Sequence, residues 1–139
     1  MIIVDTNVLS ELMRASPAEP VVRWMAAQPA RTVYTTAITQ AEILYGILAL
    51  PAGKKRDAIR AAAEAMFATE FEGRILSFDA GAATAYARTA ADRRRAGKPI
   101  SHFDAQIAAI AVNEKAELAT RNVADFEGCG IRVVNPWIA

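Results

Sequence analysis

The chain has 139 residues, of which 53% are hydrophobic and only 22% charged, so it has material for a sizeable core and excludes a disordered or fibrous class. Sixteen basic and fifteen acidic side chains nearly cancel, so attraction to a nucleic acid can come only from local patches. A lone cysteine, Cys129, excludes an internal disulfide framework, and no apolar run is long enough for a membrane span. The N-terminus lacks the basic region and cleavage site of a signal peptide, and one cytoplasmic domain over residues 1–139 is the expectation.

In chain order, "IIVD" is a short β-branched run of the kind a buried strand uses, and it ends on a charge, Asp5. Val8, Leu9, Leu12 and Met13 then recur at helical spacing. "SPAEPVVRWMAAQP" carries three prolines and reads as a turn, a short helix and a stop. "TVYTT" is β-rich and leads into "AITQAEILYGILAL", where Ile38, Ala41, Leu44, Tyr45 and Leu48 form one apolar helical face. Pro51 and Gly53 break the chain before one long helix over 54–71. "RILSF" is a third strand, and Asp79 caps an alanine-rich helix that runs through Arg95 and stops at Gly97 and Pro99. "HFDAQIAAIAVNEKA" is a helix with Phe103, Ile107, Ile110 and Ala111 facing inward. "ELAT" and "IRVVN" are two last short strands around "RNVADFEGCG". Short strands alternating with helices predict an α/β sandwich around a mainly parallel sheet.

In such sheets functional groups gather beyond the carboxyl ends of the strands. Asp5 ends the first strand, and Glu42 is placed in the first turn of the helix after "TVYTT". Asp104 falls in the first turn of the helix that begins near Ser101, while Asn122 and Asp125 follow "ELAT". Each acid alone has an ordinary reading. Thr39-Gln40-Ala41-Glu42 and Ser101-His102-Phe103-Asp104 both fit a capping box, and an acid in a first turn also offsets the helix dipole. Their conjunction points further. Two carboxylates about 5 Å apart repel by roughly 3 kcal/mol at an effective dielectric of 20, and three in one crevice need a counter-charge. A hard divalent cation with oxygen ligands, Mg²⁺ or Mn²⁺, meets that need.

Together, "IIVDTNVLSEL", "YTTAITQAEILYGI", "FDAQIAAIA", "LATRNVADFEG" and "VVNPW" resemble the VapC-type PIN-domain ribonucleases, toxins of toxin–antitoxin pairs, and most of all their FitB-like branch. The resemblance spans the chain. It implies a three-layer α/β/α sandwich, and a Mg²⁺- or Mn²⁺-dependent endoribonuclease with its acids in one groove. Asp5, Glu42 and Asp104 match the central acids, and Thr6 and Thr120 the hydroxyls that border them. Asn122 stands where relatives usually carry a fourth acid, which leaves open whether Asp125 replaces it and how many metal ions bind. It further implies a homodimer, silenced by a small VapB-type antitoxin through which alone it meets DNA. The apolar faces of "NVLSELM" and "VVRWMAA" are candidates for that docking surface.

The lone histidine, His102, excludes a ribonuclease mechanism built on two imidazoles and reads as exposed or capping. Haloacid-dehalogenase-like phosphatases need a second Asp two residues after the first, where this chain has Asn7. A catalytically weakened PIN domain that only binds RNA or protein remains the alternative. Lys54–Arg56 and Arg93–Arg95 with Lys98 read as solvated helix ends or RNA contacts, Cys129 as a turn residue, and Trp24 and Trp137 as core or interface anchors.

Overall fold

A computed structural model describes all residues, 1–139. Five strands form one sheet in the order β3-β2-β1-β4-β5, and every neighbouring pair is parallel. They are β1 (Ile2–Val4), β2 (Val33–Thr36), β3 (Ile75–Leu76), β4 (Glu117–Ala119) and β5 (Val133–Val134). All five lie in the runs that the sequence marks as strands. The helices are α1 (Thr6–Leu12), α2 (Glu19–Ala27), α3 (Ala37–Leu48), α4 (Lys54–Ala65), α5 (Ala80–Arg95) and α6 (His102–Glu114).

The sheet is buried on both faces because β1 alternates its side chains between two cores. Ile2 and Val4 join Val8, Leu9, Ile43, Ile47 and Phe67 on one face, under α1 to α4. Ile3 joins Ile107, Ile110, Leu118 and Phe126 on the other, under α5 and α6. That is the expected three-layer sandwich. The strand order reverses at β1, which pairs with β2 on one side and β4 on the other. The crevice at the carboxyl ends of β1 and β4 is therefore the topological switch point of the sheet.

Local chemistry sets the helix starts. Asp79 caps α5 by accepting from the Ala82 N–H at 2.9 Å, as expected. Ser101 caps α6 through the Asp104 N–H at 3.2 Å. The start of α3 differs from expectation: Thr36, the last residue of β2, is its cap and accepts from the Thr39 N–H at 3.1 Å. Strand passes into helix with no loop between, so Glu42 sits in the second turn and caps nothing. The face of α3 differs as well. Thr39, Ile43 and Ile47 are buried, while Tyr45 is 72% exposed and Leu48 and Ala41 lie open. Capping by Thr36 and the seating of Thr39 against Thr6 fix the rotation of the helix, and apolar residues on its other side are left to solvent.

The expected single helix over 54–71 changes to a π-helical turn at Met66–Glu70, which turns Phe67 and Phe71 into the first core. Phe103, expected inward, is 54% exposed. Arg93 departs from the solvated reading: it is 8% exposed, and its guanidinium donates to the carbonyls of Lys98 and Glu127. Cys129 does follow a turn, between Gly128 and Gly130, but it is buried in the second core, where burial pushes its thiol pKa up. Trp24 and Trp137 both pack against the first core.

Candidate active site

Asp5 is 4% exposed and serves two purposes at once. Its Oδ1 accepts from the Thr6 N–H at 2.8 Å and so caps α1, while Oδ2 accepts from the Thr120 hydroxyl at 2.7 Å. Thr120 follows β4 directly, and the parallel register of β1 on β4 (Val4 opposite Ala119) brings it beside Asp5. Its hydroxyl is a hub. It donates to Asp5 and accepts from the Asn7 side-chain amide at 3.1 Å and the Asn122 N–H at 3.2 Å. Asn7 completes the clip by accepting from the Arg121 N–H at 3.2 Å.

The Thr6 hydroxyl donates to Glu42 Oε1 at 2.9 Å and lies 3.1 Å from the Thr39 hydroxyl, itself next to Thr36. Glu42 is thus aimed by α1, from across the groove, and keeps Oε2 free of that bond. Asp104 enters from the first turn of α6. Its face is fixed because Ala108 and Ala111, one and two turns on, are fully buried against the sheet.

The electrostatics show that these acids share one space. Burial, above all, raises the Asp5 pKa to about 6; the charges of Asp104 and Glu42 add to that, while the bonds from Thr120 and Thr6 oppose it. Burial also raises Glu42, with Asp104 contributing and the Thr6 hydroxyl opposing. Asp104 is raised by burial and by the charge of Asp125, against a lowering contribution from Ser101. Asp125 reaches the site from a 3-10 turn, Val123–Phe126. The side chain of Asn122 is exposed and takes no part in the hydrogen bonding; only its backbone does. His102 lies outside the cluster, with Nδ1 2.7 Å from the Tyr86 hydroxyl.

The three acids offer only oxygen atoms, and all are held above their usual pKa, which suits a hard divalent cation. No three His, Cys, Asp or Glu side chains converge closely enough to hold one ion directly. Asp5 and Asp104 are the side chains that would hold such an ion, with water supplying its remaining ligands.

A PIN-domain family model matches residues 2–127, most of the chain. The chain belongs to the PIN-domain family. It is similar to the VapC ribonuclease Y4jK of Sinorhizobium fredii, 42% identical over 137 residues, 99% of this chain and 98% of the relative. It is similar to toxin FitB of Neisseria gonorrhoeae, 39% identical over 99% of both chains. Among solved structures, FitAB bound to the IR36 DNA fragment aligns with a TM-score of 0.93 at 39% identity, covering 99% of this PIN domain and 96% of that chain. The likeness therefore runs to the VapC and FitB members that the motifs resemble.

The motif reading missed Asn7, Thr36 and Thr39 as supports of the acids. Asn7 carried a signal, since the second residue of a helix opening on a site acid faces the neighbouring strand end. Glu11 was also missed. Buried on α1, it accepts from the Ala18 N–H at 3.0 Å, and that bond, ahead of Arg14 beside it, holds its carboxyl below the usual range.

Proposed function

We propose that this PIN domain, spanning 1–139, is a Mg²⁺- or Mn²⁺-dependent endoribonuclease and the toxin of a toxin–antitoxin pair. The observation that carries the reading is the convergence of Asp5, Glu42 and Asp104, all with raised proton affinity, at the switch point of the sheet. The likeness to a VapC ribonuclease and to toxin FitB supports the substrate class and the role.

Asp5 and Asp104 are the residues that would hold the cation, with Glu42 completing its shell through water. Such an ion supplies Lewis-acid charge, lowering the pKa of a water and polarising a phosphoryl oxygen. The chain's own residues do the rest. The Thr6 N–H and the Thr120 hydroxyl each hold one carboxylate oxygen of Asp5 and so fix its rotamer. Glu42, oriented by the Thr6 hydroxyl and raised in basicity by burial, accepts the proton of the attacking water at Oε2. In-line attack on phosphorus breaks the P–O3′ bond and leaves a 5′-phosphate and a 3′-hydroxyl. Asn122 can donate to a phosphate oxygen but supplies no charge, and Asp125 adds a carboxylate at the rim.

A VapB-type antitoxin is the proposed partner, acting on a homodimer and carrying its DNA contacts. An apolar cavity of about 640 Å³ between α1, α2 and the π-helical turn, lined by Leu9, Leu12, Met13, Met25, Met66 and Phe71, suits an amphipathic antitoxin segment. The decisive assay is cleavage of total RNA with Mg²⁺ or Mn²⁺ against EDTA, alongside Asp5→Asn and Asp104→Asn. Cleavage is expected only in wild type with metal; undiminished cutting in EDTA or by Asp104→Asn overturns the mechanism.

A further inference from the structure

A slot of about 230 Å³ opens between α1 and α3. Thr6, Ser10 and Met13 follow one another along one wall at i, i+4 and i+7, and Glu42, Gly46 and Leu50 along the other at i, i+4 and i+8. Buried isoleucines of α3 line its base. Thr6 and Glu42 belong to the acid site as well, and the 2.9 Å bond from the Thr6 hydroxyl to Glu42 marks where slot and groove meet. Neither the cavity between α1, α2 and the π-helical turn nor the hollow at the end of α5 has a site acid in its wall. Gly46 keeps the slot open. A glycine inside a helix weakens it relative to alanine. Gly81, the other glycine within a helix, answers a packing demand, since a Cβ there would lie 2.5 Å from Asn113 Oδ1. Gly46 answers none: its backbone is regular helix without positive φ, and a Cβ there would meet no atom within 4 Å. What the missing side chain provides is room, one turn along α3 from Glu42.

We propose that this slot receives the nucleobase beside the scissile phosphate, and that Gly46 and Ser10, on opposite walls, set which bases enter. The inference rests on the ribonuclease reading above and adds specificity-determining residues to it. The occupant follows from continuity: a nucleotide whose phosphate meets the acids needs room for its base in a space that shares their walls. Size agrees, because the slot lies below the roughly 300–1,000 Å³ of sites that enclose drug-sized ligands and suits a single ring system. Its chemistry agrees too. Met13, Leu50 and the isoleucines offer apolar surface to the faces of a base, and the exposed Ser10 hydroxyl can donate to or accept from its edge. No Lys or Arg lines the slot, so nothing in it calls for a further phosphate.

The test compares wild type, Gly46→Ala, Gly46→Leu and Ser10→Leu on a random-sequence RNA pool with Mg²⁺ or Mn²⁺, sequencing the product ends, measuring kcat and KM, and following thermal unfolding. Wild type is expected to favour particular bases at one position flanking the cut. Gly46→Leu and Ser10→Leu fill the slot from opposite walls. Both should change the preference at that same position and lower kcat/KM about tenfold or more, chiefly through KM. Gly46→Ala should raise Tm by about 3 °C while shifting the preference in the same direction, a pairing that a merely structural glycine does not give. It also covers a folding failure of the larger side chains. Base preference and KM unchanged in both leucine variants overturn the proposal and leave the slot to a protein segment. So does a preference that the two fillings alter at different positions, or a wild type with none beside the cut. If wild type cleaves no RNA, the ribonuclease reading fails separately. Anisotropy of fluorescent oligoribonucleotides, one for each base, then decides the slot itself: equal affinities of wild type and Gly46→Leu refute it, and a changed order of affinities upholds it.

Discussion

Asp5→Asn should stabilise the protein at neutral pH while abolishing cleavage. The carboxyl of Asp5 moves from an ordinary 3.8 to about 6 on folding, so the folded state holds its proton more tightly than the unfolded chain. Stability from this group is fully present below pH 4 and is lost as pH rises through 6. A shift of about 2 units at 1.36 kcal/mol each amounts to about 3 kcal/mol lost by pH 8. Asparagine removes that buried charge but satisfies only one of the two donors on Asp5, Thr6 N–H or Thr120 hydroxyl, at a cost of about 1 kcal/mol. The net gain is about 2 kcal/mol, or about 6 °C in Tm for a chain of this size. Urea unfolding in EDTA at pH 4 and pH 8 reads it. At pH 8 the variant should lie above wild type, and at pH 4 slightly below it. Saturating Mg²⁺ should then raise wild type by roughly 2–3 kcal/mol at 100 times Kd and the variant by much less. An Asp5→Asn difference that is the same at both pH values, or negative at pH 8, refutes the reasoning.

Three further changes separate the roles of the neighbours. Glu42→Gln should cost under about 1 kcal/mol in thermal unfolding, because Thr36 caps α3, yet cut RNA cleavage by about 10²-fold or more; wild-type turnover would remove Glu42 from the mechanism. Thr120→Val strands the Asn7 amide and the Asn122 N–H and takes a donor from Asp5, so about 1–3 kcal/mol of stability should be lost. The acid limb of its pH–rate profile should move up, and Thr120→Ser should restore both. Arg93→Met leaves the Lys98 and Glu127 carbonyls without their donor and should lower stability by about 2 kcal/mol in urea, whereas exposed Arg94→Ala should stay within about 0.5.

How far the sequence reveals the molecule depends on the range of the interaction that decides each feature. Strands such as "IIVD" and the Asp79 cap are set within a few residues, and all of these agree with the structure. The start of α3 is also local but degenerate, since Thr36 and Thr39 both suit a cap and only the end of β2 chooses between them. The faces of α3 and α6 are harder still. Both helices carry apolar residues around most of their circumference, so periodicity cannot say that Tyr45 and Phe103 stay open while Thr39 is fully buried. Arg93 shows the same limit from the polar side: a basic run at a helix end looks solvated until the loop at Glu127 is known to fold against it.

Asp5 at a strand end and Asp104 in the first turn of α6 lie where the sequence places them, whereas Glu42 falls one turn further into α3 than expected, and the supports of the acids left no such mark. Thr120 lies 115 residues from Asp5 in sequence and 2.7 Å from it in space, a nearness that only the pairing of β1 with β4 creates. The supports bear on the ligand role proposed for Asp5, which needs its charged form at neutral pH. Burial alone would push the carboxyl higher, towards a neutral acid; two hydrogen bonds to its charged form bring it back to about 6, so most of it is ionised at pH 7. The Thr120 hydroxyl and the Thr6 N–H therefore do more than hold a rotamer. They keep in its charged state a group that the core would otherwise neutralise, at a cost in stability that the Asp5→Asn comparison measures directly.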